Sequence, residues 1–242
     1  LKYYDNNLYG TMVLLKSMIE HDVKKIVFSS TCATYGQPEI VPITENEKQS
    51  PTNAYGETKL AMEKMMKWTD YAHGLKYVAL RYFNAAGAHK SGKIGEDHAI
   101  ETHLIPLIMQ VPNGQRKEIK IFGDDYPTKD GTCIRDYIHV TDLAKAHILA
   151  MEYLSKGGRS EAFNLGTENG YSVKEVIEMS RKVTKHPIPS VIVQRREGDP
   201  AELISASEKA MKILGWKPEC SDLEEIITTA WNWHKNHPNG FA

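Results

Sequence analysis

The chain has 242 residues, 41% of them hydrophobic and 25% charged, and its 30 Lys and Arg against 31 Asp and Glu leave a net charge of −1. That composition belongs to a folded globular chain rather than a disordered one, with no basic surplus to hold nucleic acid or an anionic membrane. No apolar run approaches the ~18 residues of a spanning helix. The three cysteines, Cys32, Cys133 and Cys220, are odd in number and far apart, which fits neither a disulfide framework nor a CxxC metal site and points to a reducing, cytoplasmic setting.

The chain opens on Leu1, with no initiator Met, basic leader or cleavage pattern, so its start is expected to lie inside a longer protein. Leu8, Met12, Leu15 and Ile19 recur at helical spacing, and the compact run Ile26-Val27-Phe28, ending in Ser29-Ser30, reads as a buried strand. A loop containing Pro38, Pro42 and Pro51 leads to a second helix over about 54–71 and a second strand over 77–82. Helices alternating with continuous apolar strands predict an α/β domain whose parallel sheet is covered on both faces. After Asn84 the texture changes to a Gly- and His-containing loop, a short helix near 103–110, a strand near 119–122 and a polar stretch over 123–132, which predicts a second, smaller unit. Ser172 with Glu175 and Ser221 with Glu224 are spaced as capping boxes before apolar-periodic helices.

Tyr55 and Lys59 are four residues apart on the second helix, hence on one face a turn apart. A free phenol titrates near ~10, and a neighbouring ammonium brings it toward the working range of a base. The spacing alone is common on helix surfaces, so its context matters. The hydroxyl cluster Ser29-Ser30-Thr31 stands at the carboxyl end of a parallel strand, where open α/β sheets keep their ligands. Ser29 and Ser30 suit a strand-closing turn, and Thr31 is the candidate proton relay. Gly87 to Lys93 fits GxxxxGK but is followed by Ile94 rather than Ser or Thr, so no phosphate loop is expected. His98, Glu101 and His103 form a loose cluster whose spacing matches no standard metal site, and no metal is expected. Met62, Met65 and Met66 are either core or a subunit contact.

Six motifs then occur in order: Tyr3-Tyr4-Asp5-Asn6-Asn7; Phe28 to Thr31 with Ala33-Thr34-Tyr35-Gly36; Tyr55 with Lys59; Arg81-Tyr82-Phe83-Asn84; Gly123 to Pro127 through Arg135 to Val140; and Arg196 to Asp199. Together they resemble the UDP-glucose 4-epimerases (UDP-galactose 4-epimerases) of the extended short-chain dehydrogenase/reductase group, over the whole chain. The resemblance implies an isomerase that holds NAD, oxidises C4 of UDP-galactose or UDP-glucose, and returns the hydride to the other face. It implies Tyr55 as the acid/base, Thr31 as its helper, Lys59 as the group that lowers the Tyr55 pKa and binds the nicotinamide ribose, and Asn7 and Phe83 as further NAD contacts. It places Asn84, His103, Leu104, Phe122, Arg135, Tyr137, Val173, Arg196 and Asp199 around the UDP-sugar: the arginines on the diphosphate, Phe122 by the uracil, Tyr137 near the phosphates, Asp199 on a ribose hydroxyl. Leu203 would wall the sugar pocket. Cys32 and Ala33 stand where the related 4,6-dehydratases carry an Asp-Glu pair, which favours epimerisation. The implied architecture is a Rossmann-like remainder over 1–84 and a UDP-sugar-binding domain over 85–242, with segments around 141–166 packing back on the first. A homodimer through the two N-terminal helices is also implied.

No GxGxxG or GxxGxxG is present, although NAD pyrophosphate binding in such folds uses that turn and the helix N-terminus behind it. In the resemblance the motif lies upstream of Leu1, so the isolated chain is expected to bind NAD weakly. Two other readings stand beside the first: a non-catalytic nucleotide-sugar-binding remnant, and a related 4-epimerase acting on N-acetylhexosamines, pentoses or uronates.

Overall fold

A computed structural model describes residues 1–241, which form two compact units. The first comprises Leu1–Phe83, Ala144–Gly166 and Ser205–Lys217, and the second Asn84–Leu143, Thr167–Ile204 and Pro218 onward. The units are of similar size, because two later stretches fold into the first. Among the described residues no helix is long and apolar enough to cross a membrane.

In the first unit a π-helical turn, Tyr4–Tyr9, runs without a break into α1, Gly10–Glu20. Strands β1, Lys25–Thr31, and β2, Lys76–Tyr82, flank α2, Ala54–His73. The other strand of this sheet, Glu161–Leu165, becomes β6 once the second unit's strands are counted in chain order. All three are parallel in the order β1-β2-β6, with Ala79 opposite both Phe28 and Ala162. Val78 to Arg81 are all buried, as a strand covered on both faces requires. Leu15 and Met18 of α1 pack with Met62 and Met66 of α2 on Phe28, Leu75 and Ala79, so these two methionines belong to the core.

Local chemistry fixes where α2 begins and ends. The Asn53 side chain accepts from the Gly56 N–H at 2.9 Å, and Gly74 closes the helix in the left-handed conformation at φ 67°. Gly56 has no room for a side chain, since a Cβ there would sit 2.4 Å from the Ala33 carbonyl oxygen. The helix thus lies directly on the 3₁₀ turn Cys32–Thr34 that follows β1.

A buried polar network locks this arrangement. Arg81 on β2 donates to both carboxylate oxygens of Glu63 on α2, at 3.0 Å through Nε and 2.6 Å through Nη2. Ser30 Oγ donates to the same carboxylate, and Arg81 Nη1 donates to the Tyr35 hydroxyl at 2.9 Å. Tyr35 donates in turn to Asn164 Oδ1 on β6 at 2.7 Å. Ser30 therefore serves this network.

The second unit is built around β5, Ile134–His139. It pairs in parallel with β3, Asn84–Ala86, and β9, Glu202–Leu203, and antiparallel with β7, Gly170–Ser172. A separate parallel pair joins β4, Ile119–Phe122, to β8, Ser190–Val193. Helices α3, Leu104–Met109, α5, Val173–Thr184, and α7, Leu223–Asn236, share one core of Ile105, Ile108, Met109, Val176, Ile177, Ile226, Ile227 and Ala230. Helix α4, Val140–Ser155, leads back to the first unit, which also holds α6, Glu208–Leu214.

The capping box at Ser172 and Glu175 forms in both directions, at 3.1 and 2.9 Å. The one expected at Ser221 and Glu224 does not. Asp222 caps α7, accepting from the Glu224 and Glu225 N–H groups, while Ser221 Oγ accepts from His139 N and donates to Asp142. A hydroxyl drawn into a buried tertiary contact is lost to the helix end, and the next residue, a carboxylate, suits the helix dipole better.

Both Glu63 and Arg81 expose only 8% of their side chains, so removing one strands the other's charge in a dry interior. Glu63→Ala is expected to cost about 3–5 kcal/mol of stability, read as a lower urea midpoint, with Glu63→Gln losing less because it retains an acceptor.

Candidate active site

Thr31 ends β1 and caps the turn after it, its Oγ1 accepting from Ala33 N at 3.2 Å. Its hydroxyl is also close enough to the Tyr55 phenol, in the first turn of α2, to draw the Tyr55 pKa down. Burial acts more strongly the other way, with help from the neighbouring Tyr82, and the phenol is pushed up to about 12. The expectation that Lys59 holds the phenol low is corrected here. Lys59 is on the expected face, with Nζ 5.7 Å from the Tyr55 ring centroid, but the ammonium donates to the Ser29 carbonyl at 3.0 Å and stands over the Phe28 ring at 4.9 Å. Burial lowers the pKa of the ammonium itself, because a half-dry site disfavours charge on either partner.

Asn7, on the π-helical turn, donates through Nδ2 to Thr58 Oγ1 at 2.9 Å, and Thr58 donates to the Tyr55 carbonyl at 2.9 Å. The turn is thereby tied to the start of α2, and Tyr3 from the same segment packs on the Tyr55 ring at 5.9 Å. Phe83 is buried just past β2. Ser29 Oγ faces His147 Nε2 at 2.8 Å, so it too has a structural partner.

The second unit contains a cavity of about 300 Å³. Of the ten residues expected around a UDP-sugar, nine line it: Asn84, His103, Leu104, Phe122, Arg135, Tyr137, Val173, Arg196 and Asp199. Leu203 is not among them. It lies on β9 opposite Arg135, half-buried, where strand pairing rather than a cavity wall determines its place. Several roles also differ in detail. Arg135 pairs with Asp199 at 2.5 Å rather than with its neighbour Asp136, which is buried and accepts from Thr167 N at 2.8 Å. The Asp199 carboxylate is thus taken up by a guanidinium. The exposed Arg196 stacks over Phe122 at 4.0 Å, so this ring already has a planar cation on one face. Tyr137 is 4% exposed within the apolar core, and burial drives its phenol far above the ordinary value. Asn84 donates through Nδ2 to the Asp136 carbonyl at 2.8 Å, which fixes its amide at the cavity edge.

The cavity also takes in Arg116, Lys120, Cys133 and His234, which no motif indicated. Lys120 is exposed between two buried neighbours on β4, and that alternation is its only signal in the sequence. Arg116, Lys120, Arg135 and Arg196 give the cavity a cationic lining suited to phosphate oxygens.

Comparison with known proteins agrees with this geometry. The model of the NAD-dependent epimerase/dehydratase family matches residues 1–166. A UDP-glucose 4-epimerase of Halalkalibacterium halodurans is 62% identical over the whole chain, which spans 72% of that protein, and one of Lacticaseibacillus casei is 60% identical. A crystal structure of a UDP-glucose 4-epimerase superposes with a TM-score of 0.97 at 55% identity, covering all of this chain and 74% of that one. The Bifidobacterium longum UDP-glucose 4-epimerase, solved with NAD+ and UDP, superposes at 0.93 and 46% identity, covering 99% of this chain and 72% of the other. The chain belongs to the NAD-dependent epimerase/dehydratase family.

Proposed function

We infer that the chain interconverts UDP-galactose and UDP-glucose by NAD-dependent oxidation and re-reduction at C4 of the sugar. The observation that carries this reading is the Thr31 hydroxyl beside the Tyr55 phenol, with Lys59 one helical turn on and its Nζ 5.7 Å from the Tyr55 ring centroid. The names of relatives up to 62% identical support the substrate.

The donor set of the first unit suits the nicotinamide end of NAD: hydroxyls from Thr31 and Tyr55, an ammonium from Lys59, an amide from Asn7 and an apolar neighbour in Phe83, gathered where β1 and β2 end. When bound, NAD supplies the two-electron exchange at C4. Tyr55 Oη first releases its own proton to solvent; as the phenolate it takes the proton of the 4-hydroxyl and returns it on re-reduction, and Thr31 Oγ1 orients that hydroxyl. Lys59 supplies positive charge as the phenol ionises. In the second unit Arg135 and Arg196 grip the diphosphate, and Phe122, Leu104 and Val173 offer apolar surface to the base. The unbridged cysteines accord with a cytoplasmic setting. A homodimer through the two N-terminal helices is supported by exposed apolar side chains on both, Val13 and Leu14 on α1 and Trp68 and Tyr71 on α2.

The test is conversion of UDP-galactose to UDP-glucose with NAD added, assayed on the chain alone and on the chain extended at its N-terminus with the upstream segment of the Halalkalibacterium relative. Conversion in either form that falls at least ~10²-fold in Tyr55→Phe, with UDP still bound, supports the reading. Conversion indifferent to Tyr55→Phe, or absent from both forms, overturns it. Gly56→Ala forces α2 off the Ala33 carbonyl, so kcat is expected to fall while the UDP dissociation constant stays put. Arg196→Ala removes a charged contact of about 1.5–3 kcal/mol. The KM for UDP-galactose is expected to rise roughly 10- to 100-fold with kcat nearly unchanged.

A further inference from the structure

The loop that leads into α3 brings four ligating side chains to one point. Glu96, His98, Glu101 and His103 each offer an atom, and these atoms all lie within 4.8 Å of one another. Glu96 Oε1 is 3.0 Å from His98 Nδ1 and 2.7 Å from His103 Nδ1. The Glu101 carboxylate approaches the same two nitrogens, at 3.4 Å through Oε2 and 3.0 Å through Oε1. We propose that these four residues form a binding site for one divalent ion of the zinc class.

The convergence of ligating atoms is what argues for a cation: each Nδ1 faces both carboxylates within 3.4 Å. One ion accepting both nitrogen lone pairs and one oxygen from each carboxylate satisfies every group. The mixed set also selects among ions. Imidazoles favour zinc, cobalt and nickel over magnesium or calcium, and a tetrahedral site with bonds of about 2.0–2.2 Å has ligand-to-ligand edges of roughly 3.3–3.5 Å. The observed nitrogen-to-oxygen separations run from 2.7 to 3.4 Å, so the shortest must open by roughly 0.6–0.8 Å to reach that geometry.

The surroundings orient the ligands. Glu101 Oε1 accepts the backbone N–H groups of Thr102 and His103, both at 2.7 Å, which leaves Oε2 directed at His98. The other end of the loop is pinned through Glu96, whose carbonyl accepts from Trp233 Nε1 at 2.9 Å. Gly95 lies so flat on this indole that a Cβ there would come within 2.2 Å of it. The histidine side chains are about half exposed, at 50% and 55%, so an ion has a way in. The spacing Glu-x-His-x-x-Glu-x-His matches no standard pattern, and Glu96 joins only because the chain turns back on Trp233. Glu96 and His103 also line the cavity of the second unit, so the ion would sit at its edge.

The experiment is a titration of the purified, chelator-stripped chain with Zn²⁺ alone, followed calorimetrically, with a parallel Co²⁺ titration followed by visible absorption. Expected are one equivalent of Zn²⁺ and the intense visible bands of four-coordinate Co²⁺. His98→Ala and Glu101→Gln should each weaken Zn²⁺ at least about tenfold and abolish those bands, whereas His186→Ala should change neither. Far-UV circular dichroism identifies any variant that fails to fold, in which case His98→Gln takes its place. Absence of stoichiometric uptake, or uptake unchanged in His98→Ala, would show that the cluster is held by histidine–carboxylate hydrogen bonds alone and overturns the proposal.

Discussion

The ion pair between Glu63 and Arg81 is the constraint on which the first unit depends. A helix resting on a sheet through methionine and leucine contacts alone can slide and rotate with little penalty, because apolar contact is not directional. A guanidinium bound through two nitrogens to a carboxylate has a defined geometry. Here the pair joins the middle of α2 to β2, with β1 attached through Ser30 and β6 through Tyr35 and Asn164. Tyr55 and Lys59 are two turns and one turn before Glu63 on the same helix. Their positions against the end of β1 follow from the pair, reinforced by Gly56, which lets the first turn touch the Ala33 carbonyl. Desolvating two charges is expensive, so such a network stabilises the fold little relative to an apolar core. Its contribution is a single register for α2.

The second unit reaches a comparable precision with buried aspartates. Asp136 accepts from the loop after β6 through Thr167 and Glu168, and Asp142 accepts from Cys220 and Ser221 ahead of α7. Each carboxylate turns a stretch of loop backbone into a fixed edge next to β5, the strand that carries Arg135 and Tyr137. The cationic side chains themselves are more exposed, with Arg196 stacked on a ring and Lys120 in water. Fixed backbone with solvent-facing charged tips suits a ligand whose phosphates are recognised largely by charge.

What was legible in the sequence follows range. Tyr55 with Lys59, the strand 77–82 and the Ser172 capping box depend on neighbours within a few residues, and the structure contains all three. Glu63 was overlooked because it looks like any helix-surface carboxylate, and nothing local reveals that Arg81, eighteen residues on, is buried against it. Ser221 was misread for the same reason, since its partners His139 and Asp142 are about eighty residues away. The ordered motifs did locate the cavity residues, but not their mutual pairing. Arg135 has a carboxylate beside it in sequence and another across the fold, and the distant one wins because backbone N–H groups already occupy Asp136. The Tyr55 pKa illustrates a further limit, because helical spacing predicts a cation nearby but carries no information on the water that burial removes.

The two units therefore offer opposite electrostatic environments, and the proposed chemistry needs both. In that reading, proton transfer at Tyr55 takes place among hydroxyls in a half-dry setting, where each hydrogen bond is strong. The same dryness would be ruinous for a diphosphate, whose charges are costly to strip of water without several cations in place. A cavity lined by Arg116, Lys120, Arg135 and Arg196, three of them on or near open surface, suits such charges because it leaves them part of their hydration. Separating the dry chemistry from the wet anchoring lets each be tuned without spoiling the other.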